Sequence, residues 1–343
     1  MSQLTPDRFG CVIVNYNGAA MAMDAALSFL GAGGARVVIV DNQSTDGSLD
    51  YLAGLAAGKL VHVPTCVPEP LIGHLPHLAT HPKIQVIRKG SELPEYTPLS
   101  VIDAGSNGGF AAGCNIGLKA LTGDQTLDGF VLLNPDTQIA AEGLNAFSAR
   151  LADPAIGICG GTIVDFDAPH HVQAFGGAQI DQRFHLGVKL GEGTAPNGPR
   201  LDLPACAAIE DAIDYPLGAA MAIRRDYWDA VRGLDERYFL YFEEPDWVRA
   251  GQPTYRPGWA PEAMIYHRYG MSSVSQKSTV HGASRRSALA DFHMTRSRLL
   301  FAAKWYPETL GVNRAAVGWQ IAQRLIRGRP ANAVAVAKAI LAA

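Results

Sequence analysis

The sequence predicts an α/β domain built on a mostly parallel central sheet flanked by helices. Three observations carry this. Apolar, β-branched runs recur at Cys11–Val14, Arg36–Val40, Leu99–Ile102 and Asp128–Leu133. They are apolar rather than alternating, as strands buried on both faces are. The runs stop at polar turns such as Asn15-Tyr16-Asn17-Gly18, Asp41–Ser48 and Asn134-Pro135-Asp136-Thr137. Helical stretches at Ala19–Leu30 and about Leu49–Ala57 separate the first runs, the alternation of strands joined by crossover helices. In such sheets ligands bind at the carboxyl ends of the strands, where Asn15, Asn17, Asp41 and Asn42 stand.

A chain of 343 residues holds one large domain or two smaller ones with a full core. The net charge of −3 gives no case for a nucleic-acid binder. Charge is uneven, however: from His281 onward ten basic residues face two acidic ones, Asp291 and Glu308. That basic tail suggests an anionic partner. Five cysteines, odd in number and without paired spacing, argue against a disulfide framework or zinc knuckle and fit a reducing cytosol. Residues 1–8 carry no signal peptide, and no apolar run approaches the ~20 residues of a membrane span. The expectation is a cytoplasmic protein, soluble or attached to the inner face of the plasma membrane.

The alternation breaks at 58–98, where seven prolines oppose a continuous helix. This stretch reads as an insertion with a strand at Ile84–Ile87. His74, His77 and His81 have the spacing of one helical face, but Pro76 and Pro82 oppose that helix, so a metal site there is the weaker reading. Asn107–Gly117 is a glycine-rich turn opening a helix, with phosphate binding as its weaker reading. Asp136, at the end of the Asp128–Leu133 run, is placed to hold a hard divalent cation on phosphate oxygens, or simply to close a Pro-Asp turn. Ile156–Gly160 and Tyr215–Ile223 read as strands and Asp226–Val231 as a short helix. Trp259–His267 is an extended segment ending in a histidine suited to be a ligand.

The sharpest chemical signal is Tyr238–Trp247, where Glu243, Glu244 and Asp246 follow four aromatics and a leucine. Acids after such a run point into a partly buried pocket, and crowding raises the proton affinity of at least one. That makes a general base near neutral pH. The alternative is a solvated helix N-terminus, where the dipole favours carboxylates.

Taken in order, V-I-V-N-Y-N-G at 12–18, V-I-V-D-N-Q-S-T-D-G-S at 38–48, N-G-G-F-A-A-G-C-N-I-G at 107–117 and L-L-N-P-D-T at 132–137 resemble a known family. The blocks continue with G-A-A-M-A-I-R-R at 218–225, G-L-D-E-R-Y-F-L-Y-F-E-E-P-D-W at 233–247 and A-P-E-A-M-I-Y-H at 260–267. Together they resemble the inverting nucleotide-sugar glycosyltransferases of family 2, with the GT-A fold. The branch they most resemble is the rhamnosyltransferase-like enzymes of bacterial cell-surface polysaccharide assembly.

The resemblance implies a catalytic domain over 1–270, with 58–98 inserted, and a basic helical region over 271–343. It implies Asp41 at the nucleotide base with Asn15 lining the same pocket. Tyr16, Asn42, Asn107, Gly109 and Phe110 fall in the donor-side blocks. Asn134 and Asp136 occupy the ends of the family's D-x-D motif, Asn134 facing the ribose and Asp136 binding Mg2+ or Mn2+. His267 completes the metal site. Glu244 falls where the family has its catalytic aspartate, with Asp246 the neighbouring alternative, and Gly218, Glu243 and Trp247 lie on the acceptor side. The implied reaction is a single displacement. Glu244 takes a proton from an acceptor hydroxyl while the nucleoside diphosphate leaves from the opposite face. The implied donor is dTDP-rhamnose, with a UDP-hexose as the alternative. The implied acceptor is a glycan or a polyprenyl-diphosphate-linked sugar.

This sequence departs from the pattern at Asn134, where an acid is common, at Glu244, one methylene longer than aspartate, and at Ser297 in Thr295-Arg296-Ser297-Arg298. A dinucleotide dehydrogenase is disfavoured, because no G-x-G-x-x-G follows the first strand. A sugar-nucleotide pyrophosphorylase is disfavoured because Asn15–Gly18 has no basic residue. A non-catalytic nucleotide-sugar or glycan-binding module of the same fold stays open. From Ser284 on, aromatic and aliphatic residues interleave with Arg296, Arg298, Lys304, Arg324, Arg327 and Arg329. This reads equally as a membrane-surface element or as helices packing on the catalytic domain or a second subunit, so an oligomer stays open.

Overall fold

The computed structural model describes residues 4–71, 83–95, 97–195, 203–268 and 287–343. The first half alternates β1 (Phe9–Asn15), α1 (Ala19–Gly31), β2 (Arg36–Asp41), α2 (Ser48–Ala56), β3 (Ile84–Arg88), β4 (Leu99–Asp103), α3 (Gly109–Thr122), β5 (Gly129–Leu133), β6 (Thr137–Ile139) and α4 (Gly143–Arg150). There follow β7 (Ile156–Asp165), β8 (Val172–Phe175), β9 (Gly177–Ile180), β10 (Gly187–Lys189), α5 (Leu203–Asp211), β11 (Tyr215–Pro216), β12 (Ala220–Arg224), α6 (Arg225–Val231), α7 (Glu243–Gly251) and β13 (Arg256–His267). Three helices end the chain, α8 (Ala288–Trp305), α9 (Leu310–Ile326) and α10 (Pro330–Ala342).

The main sheet runs β3-β4-β2-β1-β5-β12-β7-β13-β6, with β8 beside β7. The five strands from β3 to β5 are mutually parallel, and β12 enters antiparallel between β5 and β7. This is the mostly parallel central sheet, flanked by helices, that the sequence predicts. Side-chain alternation divides the core in two. Cys11, Ile13, Val37, Ile39, Val131 and Leu133 pack with α1, α2 and α4 on one face. Val12, Val14, Val38, Val40, Phe130 and Leu132 pack with α3, α6 and α7 on the other. Each strand is apolar on both faces because both are covered.

Two glycines of the glycine-rich block explain how closely α3 approaches the sheet. A Cβ at Gly113 would lie 2.6 Å from Val14 Cγ1, and one at Gly117 would lie 2.4 Å from Val12 Cγ1. Any side chain would lift the helix off β1.

The structure modifies several sequence expectations. Tyr215–Ile223 is not one strand: β11 joins a small sheet with β9 and β10, β12 joins the main sheet, and Leu217–Ala219 turns between them. Strands β8 to β10 and helix α5 carry no strong periodic pattern and had no counterpart in the sequence reading. Within the insertion, β3 forms as expected and becomes the parallel edge strand. His62 is buried there, its Nε2 2.7 Å from Asp24 Oδ1 and its Nδ1 2.7 Å from the Tyr51 hydroxyl. It tethers the insertion to α1. His74, His77 and His81 lie outside the described residues. The five cysteines form no disulfide.

Candidate active site

At the carboxyl end of β1 and β2, short polar side chains bond to one another. Asn15 Nδ2 donates to Asp41 Oδ2 at 2.8 Å and to Ser44 Oγ at 3.1 Å. Asp41 Oδ1 accepts from the Ser44 amide at 2.9 Å. Asp41 is fully buried, so its position is that of an anchor for Asn15 and the loop after β2, rather than of an open contact for a base. The acceptor oxygens Asn15 Oδ1 and Asn42 Oδ1 are buried without a hydrogen-bond partner among the described residues. Tyr16 is half exposed beside them. Asn42 Nδ2 donates to the Gly109 carbonyl at 2.9 Å and to Asn107 Oδ1 at 3.3 Å, joining the second strand to the glycine-rich block.

That block also positions the acidic segment. Gly109 has φ +85°, and a Cβ there would fall 2.1 Å from the Phe239 carbonyl oxygen, so only glycine fits. The Phe110 amide donates to that same oxygen at 2.8 Å. Asn115 holds the segment further upstream. It donates to the Leu234 carbonyl and to Glu236 Oε1, each at 2.9 Å, and accepts from the Leu234 amide. The sequence reading missed Asn115, although an asparagine in the middle of a buried helix was a usable signal.

The chain then passes through Tyr241 and Phe242, both left-handed with φ near +70°, and enters α7 at Glu243. Two adjacent non-glycine residues in that region cost about 1–2 kcal/mol each. Helix α8 holds them in place. Ser297 Oγ donates to the Leu240 carbonyl at 2.9 Å, His293 stacks on Phe239 with ring centres 4.4 Å apart, and Phe301 packs on Phe242.

The three acids part company. Glu244 Oε1 accepts from the Gly218 amide at 3.0 Å, and a Cβ on Gly218 would stand 2.3 Å from that oxygen. Burial of the carboxyl pushes its pKa up to about 7. Glu243 is buried, and its Oε2 has no hydrogen-bond partner among the described residues. Burial and then the neighbouring Glu244 raise its proton affinity strongly. The acids do open a helix, yet burial outweighs the favourable dipole. Asp246 does another job. It accepts from Trp305 Nε1 at 2.7 Å, Lys304 Nζ at 2.8 Å and the Tyr238 hydroxyl at 3.1 Å, so it is a tie between α7 and α8. Trp247, expected beside the acceptor, instead lies in the core under α6, because its indole packs edge-on against Tyr227.

Asn134 and Asp136 turn off the end of β5. The Asn134 amide donates to the Ala219 carbonyl at 2.9 Å, which sets this turn one residue from the Gly218 that holds Glu244. Asp136 is buried, and its Oδ1 has no hydrogen-bond partner among the described residues; His267 Nε2 is 3.6 Å away. His267 Nδ1 lies 2.7 Å from Gln173 Oε1, while Gln173 Nε2 donates to Asp165 Oδ1 and to the His267 carbonyl. That assignment puts the ring proton on Nδ1 and turns Nε2 towards Asp136, the orientation a metal-binding histidine takes. An oxygen and a nitrogen so arranged suit a divalent cation that fills its remaining positions with phosphate oxygens and water. Among the described residues no cluster of three or more metal-ligating side chains exists. Arg268, next along the chain, lines the cavity beside Asp136; its guanidinium lies over Phe166 and donates to Asp167 at 3.1 Å.

No family model matches the chain, and no curated protein matches it. Solved structures of S. aureus TarS are similar in chain path. TarS 1–349 aligns at TM-score 0.41 and 12% identity over 85% of this chain and 64% of that one. The same fragment in complex with UDP-GlcNAc aligns at 0.40 and 13%, covering 85% and 66%. TarS without that truncation aligns at 0.40 and 14%, with 39% of its length covered. At this identity and score the likeness assigns no residue a role.

Proposed function

We propose that the chain is a metal-dependent, inverting glycosyltransferase that moves a sugar from a nucleoside-diphosphate donor to a hydroxyl of a glycan or lipid-linked acceptor. The observation that carries this reading is the pairing of two unlike carboxyls at one end of the sheet. Glu244, its pKa pushed up to about 7, is fixed on Gly218, and Asp136, buried beside His267 with Oδ1 lacking a hydrogen bond among the described residues, follows the turn bonded to Ala219. Asp136 and His267 would hold Mg2+ or Mn2+, which would supply positive charge to offset that of a leaving diphosphate. Glu244 accepts the proton of the attacking hydroxyl. Asn15 and Asn42 shape the pocket for the base from beneath, Tyr16 offers it a stacking face, and Asp41 fixes the loop behind them. Asn134 faces the ribose. dTDP-rhamnose is the first donor to try and UDP-hexoses the second.

The test is release of nucleotide from a panel of nucleotide sugars, with Mg2+ or Mn2+ and with EDTA, for the wild type and Glu244→Gln. Metal-dependent release of one nucleotide, nearly abolished in the variant, names the donor and supports the base. Failure of every nucleotide sugar to bind by calorimetry removes the transferase reading.

Two smaller changes probe the same geometry. In Gly218→Ala, the new methyl must displace the Glu244 carboxylate, so turnover should fall about tenfold or more while donor KM stays put. Equal losses in both would mean that the turn itself had collapsed. Gln173→Leu frees the His267 ring and should weaken metal affinity by about 10–100-fold, read by metal titration of turnover. An unchanged metal midpoint would remove His267 from the metal site.

A further inference from the structure

Helix α9 has two apolar sides, and among the described residues only one is packed into a core cluster. Val317 and Ile321 pack inward with Leu299 of α8 and Val336 of α10. The opposite row, Val312, Ala315, Trp319, Ala322 and Ile326, follows helical spacing with no charged member. Trp319 is 62% exposed and Ile326 78%. On α10, Val334 and Leu341 are likewise exposed, with Lys338 exposed on the same side between them.

The charges around this surface have one sign. From Thr309 to Ala343 there is no acidic residue, against five basic ones. Arg324 is committed to Asp291 at 3.0 Å, which leaves Arg314, Arg327, Arg329 and Lys338 around the outer faces of α9 and α10. No helix among the described residues is long and apolar enough to cross a membrane.

We propose that the outer face of α9 and α10 docks the protein on an anionic lipid surface. α9 lies in the headgroup plane, with Trp319 and Ile326 among the upper acyl chains and Arg327 and Arg329 on lipid phosphates. A helix of 17 residues offers about 25 Å of contact in that pose. The alternative occupant, the same face of a second copy, is opposed by charge. Neither helix has an acidic residue, so self-pairing brings arginines towards arginines.

The test is co-sedimentation of the full chain with vesicles of phosphatidylcholine alone and of phosphatidylcholine mixed with phosphatidylglycerol. Binding is expected only to the mixed vesicles and should weaken with salt. Arg327→Gln should lower the partition coefficient about fivefold, the worth of one basic residue at such a surface. Trp319→Glu and Ile326→Glu should abolish binding while leaving the circular dichroism spectrum unchanged. A second readout is local. Of the five tryptophans, Trp228, Trp247 and Trp259 are buried and Trp305 is half-buried, so a blue shift and quenching by brominated lipid report on Trp319. Three results would overturn the proposal: no binding to mixed vesicles, binding that survives both glutamate variants, or a concentration-dependent dimer that Trp319→Glu dissolves.

Discussion

Glu244→Gln is expected to leave nucleotide-sugar binding intact and to lower transfer by about 10²–10⁴-fold, the worth of a positioned general base. The amide is close in size to the carboxyl, and its oxygen can still accept from the Gly218 amide. What it lacks is a site for the proton of the acceptor hydroxyl. The wild type should gain activity as pH rises, with a midpoint near 7 where the carboxyl ionises. Glu243 beside it also holds its proton strongly, through burial and then the neighbouring Glu244.

Stability should move in the opposite sense. Below the ordinary carboxyl value of 4.5 both folded and unfolded chains hold the proton. Between 4.5 and about 7 only the folded chain holds it, so stability falls as pH rises through that window. Glu244→Gln removes this liability and should be more stable than the wild type by about 2 kcal/mol at pH 8, less where water reaches the carboxyl. A variant that is inactive but also less stable would mean that Glu244 had been a structural residue. Activity unchanged by the substitution would move the proton acceptor to Glu243.

The first half of the fold was legible because its signals are local. Runs such as Val37–Val40 can be little else than buried strands, and the polar turns after them mark the carboxyl edge of the sheet. The break at Gly218 was not legible, because Tyr215–Ile223 is apolar throughout and only tertiary pairing divides it between two sheets. Asp136 and His267 are each legible in the sequence as strand-end residues. What no local pattern could give is Gln173, which turns His267 towards Asp136 from a strand the periodicity had not revealed. Asp246 and Trp247 show the same gap from the other side. They sit in the richest acidic and aromatic segment of the chain, yet one ties helices together and the other fills the core. In a helix, neighbours in sequence point in different directions, so proximity to Glu244 along the chain does not bring Asp246 or Trp247 to the Gly218 turn that holds its carboxyl.

Lys304→Met is expected to cost both stability and turnover, and the two effects have separable causes. Asp246 is almost fully buried, and among the described residues Lys304 is the cation bonded to it, with Trp305 and Tyr238 supplying neutral hydrogen bonds. Methionine keeps the apolar stem and removes the charge. A buried carboxylate left with two neutral donors should destabilise the fold by about 2 kcal/mol, below the cost at a fully buried pair because the ammonium is partly exposed. Asp235 loses the same lysine, but Arg237 still holds it. Turnover should fall about tenfold because α7 begins with Glu243 and Glu244, and its first turn is pinned to α8 through Asp246. A shift of the first turn by an ångström is enough to misplace a general base. Donor KM should be unchanged, since Asn15, Asn42 and Asp136 stand on other elements. Arg296→Met gives the comparison. It removes a bond from α8 to the Arg237 carbonyl at 2.6 Å without uncovering a buried charge, and should cost less in both measures. If Lys304→Met lowers the melting temperature but leaves turnover and its pH midpoint unchanged, α8 acts only as a clamp. If turnover falls and Lys304→Arg restores it, the C-terminal helices are part of what holds the base in register.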